Sequence, residues 1–322
     1  MSGPAPAVAA LRVAVRRCLA DLPGDAGIGV ALSGGPDSLA LAAAAAFERP
    51  GRVTALVVDQ HWYDGSAHAC ATAAERVRDV GAHAVVLDGP APRREAAARD
   101  ARYAALAAAA EEYDLATVLV GHTADDQAET VLLALLRGSG ARSLAGMPAA
   151  RGLFRRPLLE VTRETTRAAC AAQGLAPLHD PANDDRSFAR TRVRELAATL
   201  GRDVTANLVR SARLLRADAD LLDALAADAD VDHRDGGLDA GKLAALPAAL
   251  RTRVLHRLAP GLAAAHVDAL DSLVTDWHGQ GPVGLPGGVR VVRASDRIWL
   301  DGRASDEPER DDPCGGDARR GD

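Results

Sequence analysis

A doubly wound, largely parallel α/β sheet followed by a smaller, mostly helical domain is what the patterning of this chain predicts. Three observations carry that expectation. Short apolar runs alternate with helix-period stretches from residue 28 to about 175, the signature of strands joined by right-handed helical crossovers. The first of these runs ends in two glycines and opens a helix, Ser33-Gly-Gly-Pro-Asp-Ser38. From about Leu200 the pattern changes to consecutive Ala-, Leu- and Asp-rich helices and then a hairpin signal.

In chain order, Val8–Ala20 carries Arg12, Arg16 and Arg17 within an apolar periodicity and reads as an amphipathic helix rather than a signal peptide. Ile28–Leu32, Val53–Asp59, Ala84–Asp88 and Thr117–Gly121 are short, strand-like and mostly β-branched. Helices are expected between them over Asp37–Glu48, Ser66–Val80 and Arg93–Tyr113, and again over Val161–Gln173. Asp180–Arg194 reads as a polar, arginine-bearing loop entering a helix. Val289–Val292 and Arg297–Leu300 flank a four-residue turn and form a hairpin. The organisation expected is a catalytic domain over 1–215, a small α-rich domain over 216–302, and a charged, Gly/Pro-rich tail over 303–322 that is disordered.

Composition narrows the function classes. Aromatic residues make up only 3% of the 322 residues, so the core is built from Ala, Leu and Val. The net charge of −6 argues against a nonspecific nucleic-acid binder. Between Arg186 and Arg216, however, eight arginines face only Glu195 and Asp203, a net +6 over 31 residues. Such a segment inside an acidic chain fits a polyanion partner. The four cysteines are scattered, with no Cys-x-x-Cys pair for zinc or an iron–sulfur cluster. No apolar run reaches the roughly 18 residues of a membrane span. A cytoplasmic protein with reduced thiols is expected.

Ligands of doubly wound sheets sit beyond the carboxyl ends of the strands. The Ser33–Ser38 loop, Asp59-Gln60-His61 and Gly121-His122 all fall there. In the loop, glycine permits a sharp turn and close backbone approach, and the helix start aims free N–H groups at an anion. Pro36 suits the first turn. An ordinary strand–turn–helix joint would explain a capping serine but not the whole hexapeptide. A Walker A loop is excluded, because no lysine follows and Lys242 is the only lysine in the chain. In the second motif, Gly121–Thr130, Asp125 and Glu129 are four apart on one helical face, with Asp126 beside them. Helix capping explains Thr123 and Asp126. It does not explain His122, Gln127 and Glu129 as well, and the three carboxylates together can hold magnesium, bind an ammonium group or take its proton.

The hexapeptide resembles the SGGxDS loop of the PP-loop ATP pyrophosphatases, a Rossmann-like superfamily that splits ATP into an adenylyl group and pyrophosphate. Gly121–Thr130, continuing through Arg137-Gly-Ser-Gly140 and Leu144-Ala-Gly-Met147, resembles the tRNA(Ile)-lysidine synthetase family. Arg99–Tyr103, Arg156-Pro-Leu-Leu159, Asp180-Pro-Ala-Asn183 and Arg190–Arg194 match the same family in order, and residues 282–300 match its small domain more loosely. The resemblance implies ATP-dependent ligation of free lysine to the 2-position of the wobble cytidine in a CAU-anticodon isoleucine tRNA. It implies ATP held by Ser33, Gly34, Gly35, Pro36, Asp37, Ser38 and Asp59, and magnesium on Asp37 and Glu129. Asp125 is the first-choice proton acceptor, with His122 and Asp126 near it, and Arg190, Arg192 and Arg194 contact tRNA. A cytidine thiolase and a non-catalytic ATP-binding module are the competing readings, and a homodimer is left open. The chain departs from the family after the second strand, where Gln60-His-Trp-Tyr-Asp64 lacks the usual arginine. Trp62 and Tyr63 suit either stacking on a base or core packing.

Overall fold

The computed structural model describes residues 3–90, 95–178 and 189–301. The chain divides into two compact units, Met1–Ala217 and Asp218–Asp322.

The first unit opens with helix α1 (Pro6–Cys18), whose Val8, Leu11 and Val15 recur on one face and are buried. Strand β1 (Gly27–Ala31) leads through the hexapeptide into α2 (Pro36–Glu48). Nine consecutive residues of α2, Ser38–Ala46, are buried, which explains its alanine run: small side chains let a helix lie close on the sheet with neighbours on every side. Then follow β2 (Val53–Asp59), α3 (Ser66–Arg78), β3 (His83–Asp88), α4 (Glu95–Glu112), β4 (Leu115–Val120) and α5 (Ala124–Leu136). These elements fall where the apolar periodicity puts them, within about two residues at the ends.

A short helix α6 (Ala141–Leu144) and a hairpin of β5 (Ala150–Arg151) and β6 (Phe154–Arg155) come next, then α7 (Arg163–Ala172). The sheet order is β3-β2-β1-β4-β6-β5. β1, β2, β3, β4 and β6 are parallel, and only β5 runs against its neighbour. The two-residue strands of the edge hairpin are too short to leave a periodic signal. The chain winds outward from β1 to β3 and returns over the other face to β4. The switch point therefore lies between β1 and β4, whose ends carry the two motifs. α1, α2, α3 and α7 pack on one face around Leu11, Ile28, Leu41 and Leu158. α4 covers the other around Leu56, Leu106 and Val118. Each such leucine, removed from water, contributes about 1.5–3 kcal/mol.

Helices α8 (Ala189–Leu200) and α9 (Arg202–Ala227) follow. The second unit contains β7 (Leu238–Asp239), α10 (Ala240–Ala245), α11 (Ala248–His256), α12 (Ala264–Thr275), β8 (Val283–Gly284), β9 (Arg290–Ala294) and β10 (Arg297–Asp301). The expected hairpin is β9–β10, paired Arg297↔Ala294 through Asp301↔Arg290. It is the centre of a four-stranded antiparallel sheet, β7-β10-β9-β8. The unit is thus α+β, its flanking strands being only two residues long. Its core gathers Leu243, Leu255, Leu270, Leu273, Val291 and Ile298. Asp180–Asn183, Arg186 and the tail over 303–322 lie outside the described residues.

Candidate active site

At the end of β1 the chain turns into α2 through Gly34, whose φ is +83°. A Cβ there would lie 2.8 Å from Leu178 Cδ1 and 3.2 Å from the Ala73 Cβ, so the cradle admits only glycine. Leu178 closes its outer side by donating its N–H to the Gly34 carbonyl at 2.8 Å. The Ser38 hydroxyl sits inside the loop, 3.1 Å from Ser33 Oγ, and accepts the Ser33 N–H at 3.2 Å. Pro36 occupies the first turn of α2. The N–H groups of that turn have no partner within the helix.

Gly121 brings the second motif against the first. A Cβ on Gly121 would meet the Asp37 carbonyl group and Ser38 Cα at 3.2 Å, so any side chain there would push the start of α2 and β4 apart by a few tenths of an ångström. Thr123 caps α5 in a reciprocal box: Asp126 Oδ2 accepts the Thr123 N–H at 2.8 Å and its hydroxyl at 2.9 Å. Capping therefore accounts for Thr123 and Asp126. Gln127 is structural as well. It spans the turn after α6, donating to the Met147 carbonyl and accepting the Met147 N–H at 2.8 Å. His122 Nδ1 accepts from Arg156 Nε at 3.2 Å, and buried Arg156 also donates to the Pro148 carbonyl.

The carboxylates converge on a residue that the sequence reading did not select, Arg163 at the start of α7. Its guanidinium lies 2.9 Å from Asp126 Oδ1, 3.4 Å from Glu129 Oε1 and 3.6 Å from Asp37 Oδ2. Its backbone N–H donates to Asp125 Oδ2 at 2.7 Å. Burial alone would weaken its charge, but Asp126, Glu129, Asp37 and Asp125 more than offset this and raise its pKa. Burial also pushes the Asp126 carboxyl up, and Arg163, Thr123 and His122 override it and hold it low. At Asp37 burial wins, and its pKa is raised despite the Thr166 hydroxyl on Oδ1 and the nearby Arg163. Thr162 caps α7 and so sets where Arg163 points, yet a threonine–arginine step carries no mark of chemistry in the sequence. Thr166 was missed for the same reason, whereas Arg156 was noted as part of the Arg156-Pro-Leu-Leu159 segment but given no role.

Glu129 is 2% exposed. Its Oε1 receives Arg163 and also Arg194 Nε at 2.8 Å. Its Oε2 is buried with no hydrogen-bond partner among the described residues. Arg190, Arg192 and Arg194 lie in the first half of α8 rather than in an extended loop. On a helix, positions 190 and 194 share a face and 192 turns away. Arg194 accordingly reaches inward to Glu129, while Arg192 is exposed.

Asp59 is buried at the end of β2, where its Oδ1 accepts the His61 N–H at 2.9 Å and the Ser66 hydroxyl at 2.7 Å. Burial pushes it up, but these bonds and the imidazole hold it below the ordinary carboxylate value. Trp62 and Tyr63 stand 48% and 43% exposed, so they are not core packing. Cys18, Cys70 and Cys170 are free thiols, and no described helix is long and apolar enough to cross a membrane.

Residues 10–200 match the PP-loop domain family, and residues 238–299 match the TilS substrate binding domain. A tRNA(Ile)-lysidine synthase of Salinispora arenicola is 51% identical over 93% of this chain and 98% of its own length. The chain belongs to the tRNA(Ile)-lysidine synthase family. Another member of this family, from Thermobifida fusca, is 49% identical over 92% of this chain and 98% of its own. Among solved structures, the U34-tRNA thiolase NcsA of Methanococcus maripaludis, with its [4Fe-4S] cluster, superposes with a TM-score of 0.54 at 17% identity. It covers 65% of this chain and 80% of that one, and shows the shared fold. For a family that uses ATP, a magnesium site is the natural test of these residues. Glu129 Oε2 is a hard, buried oxygen with no partner among the described residues, and Asp37 is a second carboxylate in reach of the same guanidinium. Magnesium commonly takes only one or two protein carboxylates, with phosphates and water completing its shell, so the donors present fit it.

Proposed function

We propose that this crevice joins free lysine to the 2-position of the wobble cytidine of a CAU-anticodon isoleucine tRNA, using ATP and converting an AUG reader into an AUA reader. The observation that carries the reading is the contact of Gly121 with the start of α2, bridged by Arg163. It supports a pyrophosphate cradle and a carboxylate cluster sharing one crevice at the switch point, where adenylation and amine attack need them together.

In the first step the cytidine 2-oxygen attacks the α-phosphorus, and the bond to pyrophosphate breaks. Ser33, Gly34, Gly35 and Ser38, with the α2 N-terminus, hold the departing anion. Magnesium, held by Asp37 and Glu129, would neutralise phosphate charge. In the second step the lysine ε-nitrogen attacks C2 and the C2–O bond to AMP breaks. An ammonium is no nucleophile, so a carboxylate must take its proton. Asp125 serves this role through Oδ1, its Oδ2 being held by the Arg163 N–H. Asp126 and His122 fix the surrounding charge. Arg163 holds the carboxylates together against their mutual repulsion and would also meet negative charge developing on the phosphate. Arg190 and Arg192 are the candidates for tRNA phosphates, and Arg194 positions Glu129.

An omission series tests the reading. ATP, magnesium, lysine and the tRNA transcript together should give AMP, pyrophosphate and lysine-labelled tRNA, and omission of any one should abolish labelling. Nucleotide cleavage that continues undiminished without tRNA would contradict it, as would ATP binding with no turnover.

A further inference from the structure

Beyond the phosphate cradle and the carboxylates, the end of β2 presents two aromatic rings that no step above uses. We propose that Trp62 and Tyr63 form a stacking platform for a nucleobase at the rim of the crevice. The inference rests on the adenylation reading, which brings two base-bearing substrates to this crevice.

Only nine aromatic residues occur in 322, three each of Trp, Tyr and Phe. Two of them stand side by side here, about half exposed, where large rings would ordinarily be withdrawn from water. The turn that presents them is held at several points. Buried Gln60 donates to the Ala98 carbonyl at 2.6 Å, and its Oε1 accepts the Trp62 indole N–H at 3.4 Å. Asp59 takes the His61 N–H and the Ser66 hydroxyl. The His61 ring spans to Asp88 Oδ1 at 2.7 Å, on the neighbouring strand. His61 itself adopts φ +52°, a left-handed conformation a non-glycine residue rarely takes without other contacts to hold it. The Ser66 N–H closes the turn onto the Tyr63 carbonyl. A platform fixed in this way loses little freedom when a base settles on it.

Placement supports the same conclusion. β2 is parallel to β1, with Ala31 opposite Leu56. Its three further residues carry Asp59, where β2 ends, about 10 Å past the level where β1 ends, and the rings follow in the turn just after it. A nucleotide whose phosphates lie in the Ser33–Ser38 loop, or a splayed anticodon base approaching the same α-phosphate, can reach them. Stacking needs only a π-face, so both ligands offer the same chemistry.

The experiment uses the full chain. Trp277→Phe with Trp299→Phe leaves Trp62 as the only tryptophan, and its fluorescence is followed against ATP with magnesium, inorganic pyrophosphate, and a CAU anticodon stem-loop RNA. Quenching by ATP but not pyrophosphate assigns the platform to adenine; quenching by the RNA assigns it to an anticodon base. In the otherwise unchanged protein, Trp62→Leu should weaken calorimetric binding of that ligand by about 5- to 150-fold, the range of one base–aromatic stack. Trp62→Phe should restore most of it. The proposal is overturned if pyrophosphate quenches as strongly as ATP, or if both base-bearing ligands bind without quenching. Equal binding by the Leu and Phe variants would also overturn it. Calorimetry showing that neither ligand binds at all would overturn the adenylation reading itself, and the platform with it.

Discussion

At the residue scale, the chemistry turns on which carboxylate oxygens are already engaged. Asp126 is occupied by Thr123 and Arg163, and Asp125 Oδ2 by the Arg163 N–H. Among the described residues, Glu129 Oε2 has no partner. Glu129→Gln would keep the shape and remove the charge that faces Arg163 and Arg194. Lysine transfer should fall by at least about 100-fold, measured as initial incorporation rate, with the circular-dichroism spectrum unchanged. Asp37 gives a prediction of opposite sign for stability. Its raised pKa means that its stabilising protonated form prevails below the ordinary value of 3.8, and that this contribution is lost as pH rises through the raised value. At neutral pH the ionised group is therefore a cost to folding. Asp37→Asn should melt no lower than the parent at pH 7 while losing turnover; a clearly lower Tm at pH 7 would contradict the assignment. Ser33–Ser38 and His122–Glu129 were legible in the sequence because glycine pairs and clustered carboxylates are unusual at strand ends. Arg163 was not, since nothing local marks an arginine that acts on residues 34 to 126 positions away.

At the element scale, strands β1 to β4 and helices α2 to α5 were legible because each has one dominant period and glycine or polar boundaries. The β5–β6 hairpin, β7 and β8 were not, because two residues make no period and their pairing depends on neighbours distant in the chain. The first six residues of α8 were read as the end of a polar loop entering a helix, because their polar composition hides helical periodicity. Two substitutions probe the element contacts. Thr123→Ala removes the α5 cap and should cost about 0.5–2 kcal/mol in denaturant unfolding. Gly121→Ala puts a methyl against the backbone of Asp37 and Ser38, where no flexible side chain can give way. It should displace β4 from the cradle and cost about 100-fold in turnover; turnover near the parent rate would show that the two motifs need not be so close.

At the scale of the whole molecule, a chain of net charge −6 must bind a polyanion through local charge rather than its sum. Arg194 is committed to Glu129, and we propose that Arg190 and Arg192 meet tRNA phosphates. Replacing both with Ala should weaken tRNA binding and lower the slope of log affinity against log salt by about one to two. An unchanged slope would remove α8 from the tRNA surface. We propose that one crevice first adenylates the cytidine and then delivers lysine to the same carbon. The most direct test is a chase. The protein is incubated with magnesium, tRNA and ATP labelled in its adenylyl group, without lysine; free ATP is then destroyed enzymatically and lysine added. A covalent adenylyl–tRNA adduct should form and convert to lysidine and AMP with no fresh ATP. Failure to form the adduct, or lysine incorporation that waits for new ATP, would contradict it.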